Sequence, residues 1–307
     1  MKPIWRLGIG LFGGGLAVWM VRAWLPSVAF LSRSVEIQTP VVPVKPPQYR
    51  LYKLPQSDVY TLTIAAASPS KIQVFVSKST QTVGEFAEQS GAIAVINAGF
   101  FDPVNQKSTS YITIDGTLMA DPRQNERLTQ NPKLQPYLNQ IFNRTEFQRY
   151  QCGQSVRYAI RARRSSGGLS PSLNPMPSAC QLVDAVGGGP RLLPTLTASD
   201  EGFVDAATGR DAIAINQPNA RSAVGITHDG SIIFVMAAQK PDAPKTSGLS
   251  LAQLADFMKE QGTVQAMNLD GGSSSALVYQ GNAYYGKVNE NGNPIKRPVK
   301  SVLMVTN

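Results

Sequence analysis

The stretch "MNLDGGSSSALVY", residues 267–279, places a carboxamide and a carboxylate after an apolar run and follows them with residues that have almost no side chain. Asn268 and Asp270 would stand at the end of one strand. Gly271 and Gly272 would let the backbone turn sharply there and leave room for another molecule to approach. Successive backbone N–H groups in such a turn can form an anion-binding nest. The spacing is not that of an EF-hand loop, which needs further Asp or Asn ligands, and no Gly-Lys-Ser/Thr follows to make a phosphate loop. Read alone, a plain tight turn explains the stretch equally well.

The elements around it decide where this carboxylate would sit. "SLAQLADFM", residues 250–258, has apolar residues at 251, 254, 255 and 258. That is a helical period, with Ser250 as N-cap and Gly262 just past the end. The strand carrying Asn268 follows directly. Earlier, "TVGEFAEQSG" sets Thr82 and Glu85 in capping-box positions and ends on Gly91, which predicts a short helix. "AIAVIN" predicts a buried strand ending at Asn97. "SYITIDGTLM" and "RSAVGITHDGSIIFVMAA" predict hairpins turning at Asp115-Gly116 and Asp229-Gly230, and His228 reads as a turn residue. "VYTLTIAAA" and "KIQVFVSK" flank "SPS" and are expected to form another hairpin. Residues 120–180 are rich in proline and polar runs, which suggests an insertion with a helix near 133–142 and a mobile loop near 164–178. The fold expected is α+β, a mixed and mainly antiparallel β-sheet core with a few packed helices. The ends of strands near 92–97, 181–186, 221–226 and 264–269 should converge on one site.

In order and spacing, "NAGFF" (97–101), "GGGP" (187–190), "ARSAVG" (220–225), the 250–258 helix and "MNLDGGSSSA" resemble the phosphodiester glycosidase family, over roughly residues 85–305. The resemblance implies hydrolysis of a sugar-1-phosphodiester at its anomeric carbon, with a glycan or sugar-phosphodiester as substrate. It implies Asp270, Arg221 and Asn97 as catalytic residues. Asn268, Gly271, Gly272, Ser273, Gly188, Gly189 and Phe101 would line the substrate site. Breaking the anomeric C–O bond passes through an oxocarbenium-like state, which one carboxylate could stabilise, attack as nucleophile, or supply with an activated water. An arginine could grip phosphate oxygens and stabilise the leaving group. Each residue also has a plainer reading: Arg221 as a salt-bridged strand residue, Asn97 as a turn cap, Asp102 as a turn residue. The chain departs from the family pattern twice. The third glycine of "DGGGS" is Ser273, and a histidine that follows the Arg-containing segment in animal members is Ile226. These departures support the alternative of a non-catalytic glycan- or phosphoglycan-binding protein. The sequence requires no cofactor, offers no histidine-rich metal site, and leaves a divalent cation open.

Composition bounds the partners. The chain has 307 residues and a net charge of +9. Much of that charge lies before residue 51, where Lys2, Arg6, Arg22, Arg33, Lys45 and Arg50 face only Glu36. The remainder is only mildly basic, with one cluster at Arg157, Arg161, Arg163 and Arg164, so nucleic acid is not an expected partner. Lys2 and Arg6 precede the apolar run from Leu7 to Val21. This reads as a membrane anchor or signal peptide over residues 1–31, followed by a proline-rich spacer over 32–50 and the main domain over 51–307. The domain is then membrane-anchored or secreted, on the extracytoplasmic side. In that setting Cys152 and Cys180, the only cysteines, are expected to form a disulfide. Two buried free thiols are the other reading.

Overall fold

The computed structural model describes residues 46–68, 70–163 and 179–306. The expected anchor or signal segment, and the loop expected near 164–178, lie outside the described residues. No helix among the described residues is long and apolar enough to cross a membrane.

Alternating apolar residues generate three large antiparallel sheets, beside a two-stranded ribbon of Val204–Asp205 and Arg210–Asp211. The first has six strands in the order Gln48–Leu54, Ser57–Ile64, Ile232–Ala238, Arg221–Thr227, Thr263–Asn268 and Arg191–Leu193. The second runs Asn282–Tyr285, Ala276–Tyr279, Ala94–Asn97, Val299–Thr306 and Lys71–Gln81. The third runs Thr117–Ala120, Ile112–Ile114, Cys180–Gly187, Thr145–Cys152 and Ser155–Ala162. One core joins them: Leu62, Phe234 and Met267 from the first sheet, Ile96, Leu277 and Leu303 from the second, and Ile112, Phe147 and Val186 from the third, each nearly or wholly inaccessible. The helices cover outer faces. Leu251–Glu260 lays Leu251, Leu254, Phe257 and Met258 on the back of the first sheet. Val83–Ser90 lays Val83 and Phe86 on the back of the second. The fold is thus α+β and mainly antiparallel, as the sequence indicates.

Local chemistry fixes the helix ends as expected. Thr82 and Glu85 form a reciprocal capping box and Gly91 closes that helix at φ 64°. Ser250 does the same with Gln253, and Gly262 follows at φ 79°. Asp115 and Gly116 both take positive φ, 48° and 74°, in the tight turn joining the 112–114 and 117–120 strands.

Two expectations change. The segments around "SPS" do not pair with each other. Ser57–Ile64 lies in the first sheet between its strand neighbours 48–54 and 232–238, whereas Lys71–Gln81 pairs with Val299–Thr306 in the second. The turn residues carry the chain from one sheet to the next, because both faces of the core need strands there. In addition, the 145–152 and 155–162 strands, expected within an insertion, are integral to the third sheet and bury Phe147. Cys152 and Cys180 lie opposite each other in that sheet and form a disulfide across 28 residues of sequence.

Candidate active site

The strand ends expected to converge do so. Asn97 closes the 94–97 strand, Gly187 the 180–187 strand and Asn268 the 263–268 strand, and Arg221 opens the 221–227 strand. Asp270 comes two residues after Asn268, with its N–H donated to the Ala98 carbonyl at 2.8 Å. Asn97 is fully buried and ties this junction together. Its Nδ2 donates to the Asp270 carbonyl at 2.6 Å, and its Oδ1 accepts from Ser222 Oγ at 2.7 Å and from the Ala276 N–H at 3.0 Å. Three strands and the Asp270 turn are therefore fixed by one carboxamide.

Asp270 keeps only partial access to solvent, with protein packed closely around its carboxyl group. That desolvation raises its pKa to about 6, against the opposing effects of the Ser274 hydroxyl, the Arg297 guanidinium and the Gly271 N–H. Ser274 Oγ itself makes no hydrogen bond of normal geometry, and neither do the buried Ser275 Oγ and Asn268 Oδ1. The turn is not an open amide nest. The N–H groups of Asp270, Gly272, Ser274 and Ser275 donate to the carbonyls of Ala98, Ala220, Gly271 and Gly272.

Arg297 is the cation whose charge acts on the Asp270 carboxyl group, and no motif or spacing in the sequence singles it out. It lies in "NPIKRP", a strandless stretch without periodicity. Its Nη1 donates to Ser273 Oγ at 2.8 Å, and its guanidinium stands 5.1 Å from the Phe101 ring centre. Ser273, the residue that replaces a family glycine, thus orients a partly exposed arginine beside the carboxylate. Phe101 supports that arginine from below.

Arg221 occupies a different place from the one expected. Its side chain is 2 % exposed. Nε donates to the Leu249 carbonyl at 3.0 Å, Nη1 to Ile213 at 2.9 Å, and Nη2 to Ala214 and Gln217 at 2.7 and 3.1 Å. Burial pushes its pKa down to about 10, opposed by Asp211. A guanidinium has five N–H donors, and four contacts to loop carbonyls leave no paired fork for a phosphate. The geometry makes Arg221 the post that holds the 213–217 loop and Leu249 against the sheet.

The glycines serve close packing. A Cβ on Gly188 would lie 2.6 Å from Met267 Cε and 2.9 Å from the Asn268 carbonyl. Gly189 takes φ 100° and faces the Glu201 carboxylate, and it exchanges hydrogen bonds with Asn268: Gly189 N–H to the Asn268 carbonyl at 2.8 Å, and Asn268 Nδ2 to the Gly189 carbonyl at 2.9 Å. These residues bring the third sheet against the Asp270 strand. Asp102 accepts from the Val104 N–H and pairs with Arg127, both at 2.8 Å, as a turn residue does. Ile226 lies five residues along its strand from Arg221, about 17 Å away at ~3.3 Å per residue, so the missing histidine is remote from Asp270. A cleft of about 740 Å³ opens at that far end, lined by Ile226, Lys71, Arg157 and Tyr158 among others, with no carboxylate among the described residues of its walls. Of the remaining basic cluster, Arg163 pairs with Glu146 at 2.6 Å, and Arg164 lies outside the described residues.

Residues 90–306 match the phosphodiester glycosidase family, and the chain belongs to it. A mouse N-acetylglucosamine-1-phosphodiester alpha-N-acetylglucosaminidase is 36 % identical over 74 residues, which are 24 % of this chain and 14 % of the mouse protein. The zebrafish N-acetylglucosamine-1-phosphodiester alpha-N-acetylglucosaminidase catalytic domain, solved auto-inhibited by its pro-peptide, shares the fold with a TM-score of 0.64 at 18 % identity, over 88 % of this chain and 85 % of that one. A hypothetical protein from Synechocystis gives a TM-score of 0.54 at 18 % identity, over 84 % of this chain and 61 % of that one.

Proposed function

We propose that the protein hydrolyses a sugar-1-phosphodiester at the anomeric carbon, on an envelope or extracellular glycan. The observation that supports this most strongly is a desolvated carboxylate, Asp270, with a partly exposed arginine, Arg297, held on Ser273 three residues away and acting on it by charge, where three sheets meet. Family membership supplies the reaction class. Arg297 binds the phosphate oxygens and, as the C–O bond lengthens, stabilises the charge that moves onto them. The departing group is a phosphate monoester, a much weaker base than an alkoxide, so the departing oxygen needs no strong acid. Asp270 faces the opposite charge, the oxocarbenium-like carbon. Water's oxygen forms the new bond to that carbon, the C–O electron pair leaves with the phosphate monoester, and a water proton passes to Asp270 or to solvent. A carboxyl group titrating near 6 is suited to accept and release that proton around neutral pH. Asn97 and Arg221 act by position: one holds the Asp270 turn, the other the loop beside it. Asn268 holds the Gly189 segment against the same strand.

The test is incubation of the full chain with a panel of sugar-1-phosphodiesters, measuring free sugar and phosphate monoester. Equimolar release of both from at least one substrate is expected. Binding of these compounds without any release would instead establish a phosphoglycan-binding protein.

A further inference from the structure

A second group of cations lies on the same end of the fold, beyond Phe100. Arg144 is half-buried, and its guanidinium lies flat on the Phe203 ring, 3.6 Å from the ring centre and 6.0 Å from that of Phe100. Arg210 covers Tyr137 in the same way at 4.7 Å. Each is anchored through Nε alone, Arg144 to the Glu201 carbonyl at 3.0 Å and Arg210 to the next carbonyl, Gly202, at 2.9 Å. The Nη1 and Nη2 groups of both make no hydrogen bond or ion pair with any described residue. The two cations are near enough for Arg210 to lower the pKa of Arg144, which burial chiefly pushes down to about 9 while Glu201 opposes.

Proteins do not ordinarily hold two like charges together on aromatic supports with both forks unpaired. The neighbouring carboxylates are engaged. Glu201 accepts from the Thr145 N–H and Oγ1, the Arg191 N–H and Thr197 Oγ1, and Asp205 from Tyr137 Oη at 2.6 Å. The support is also specific: Gly202 takes φ 68°, and a Cβ there would come within 3.2 Å of Gln140 and 3.5 Å of Tyr137. Nε-anchored guanidinium groups over aromatic rings, with Nη groups that no described residue occupies, suit bidentate contact with oxyanions.

We propose that Arg144 and Arg210 form a second oxyanion subsite, which takes a further phosphate or carboxylate of the substrate chain beyond the bond that is cleaved. The link to the reaction centre is short. The Thr145 carbonyl accepts from Gly188, Gly189 is bonded to Asn268, and Phe100 is two residues from the carbonyl that binds Asp270. This deepens the proposed function: the substrate is a polyanionic glycan, not an isolated sugar-1-phosphodiester. It rests on that function for the identity of the substrate but not for the anion site.

Inorganic pyrophosphate is titrated into the full chain carrying Arg297→Gln, so that the cation beside Asp270 takes no part. Binding should persist there and weaken about tenfold or more when either Arg144→Gln or Arg210→Gln is added, the loss of one charge-assisted contact. Near-UV circular dichroism checks that each variant is folded. Arg210 is the less enclosed of the two, and its variant decides the matter if Arg144→Gln does not fold. Equal binding with and without these substitutions would overturn the subsite, as would absence of binding in Arg297→Gln. If the wild type binds pyrophosphate with the same stoichiometry and affinity as Arg297→Gln, and Arg210→Gln abolishes that binding, the subsite stands and the phosphate role of Arg297 fails.

Discussion

Arg221 carries the sharpest disagreement between what a motif implies and what its surroundings allow. Replacing it by lysine keeps the charge but not the geometry. The guanidinium reaches the carbonyls of Ile213, Ala214, Gln217 and Leu249 at once. An ammonium group has three donors at a single point and cannot span them, so at least one or two buried carbonyls would lose their partners. Each costs about 1–3 kcal/mol, which puts Arg221→Lys at roughly 2–4 kcal/mol. At 2–4 °C per kcal/mol for a domain of this size, the melting temperature should fall by about 5–15 °C. Arg221→Met, which satisfies none of the carbonyls, should fall further. The assay is thermal unfolding of the full chain by circular dichroism, with sugar release measured well below both transitions. Activity per folded Arg221→Lys molecule should stay within about tenfold of the wild type. A lysine variant that melts within ~2 °C of wild type yet loses activity a hundredfold or more would show that the side chain acts on substrate, and would refute the loop-post argument.

Other outcomes follow from the same structure. The Asp270 pKa is raised on folding, so the folded state holds its proton to higher pH than the unfolded chain does. This destabilises the fold progressively between about pH 4 and 6 and by a constant amount above. Asp270→Asn removes that cost and should stabilise the protein by about 3 kcal/mol at pH 7, with almost no gain at pH 3.5, as read by denaturant unfolding at the two pH values. Ser273→Gly releases the guanidinium of Arg297 from its 2.8 Å contact and should raise KM several-fold with kcat little changed, while Ser273→Thr should retain the wild-type value. Thiol labelling under denaturing, non-reducing conditions should find neither Cys152 nor Cys180 free. Replacing both by serine should cost roughly 3.5 kcal/mol in chain-entropy terms.

The parts of the fold that were legible in the sequence are those in which a local rule and the tertiary structure agree. The Thr82–Glu85 capping box, the Ser250 N-cap, the Asp115-Gly116 turn and the 221–238 hairpin are each written within a short local stretch, and the strand leading to Asn97 is apolar on both faces because the central core covers one and the 83–90 helix the other. The disulfide follows from a lone cysteine pair in a domain expected to be exported. What failed did so for physical reasons. The "SPS" turn signals a change of direction but not which sheet receives the next strand. The role of Arg221 depends on where the carbonyls of residues 213–217 fall, which no spacing encodes. Arg297 lies 27 positions beyond Asp270 in a segment whose prolines suppress any periodic pattern. Arg144 and Arg210 become a pair only when the 145–152 strand and the 199–211 loops are packed together. The glycines at 188 and 189 are visible in sequence, but it takes the structure to show that they clear space for Asn268 and Glu201.

Asp270 is central to the proposed reaction, and the decisive measurement is the rate of sugar release by the Asp270→Asn protein on the best sugar-1-phosphodiester substrate. The amide is nearly isosteric, and the backbone contacts that hold the turn, Asp270 N–H to Ala98 and Asn97 Nδ2 to the Asp270 carbonyl, do not involve the side chain. The variant should therefore fold, and melt at or above the wild-type temperature at pH 7. Its turnover should fall by about three orders of magnitude or more, because a neutral amide neither stabilises the cationic carbon nor accepts the proton of water. Folded Asp270→Asn protein with wild-type turnover would contradict the account and remove the carboxylate from the chemistry.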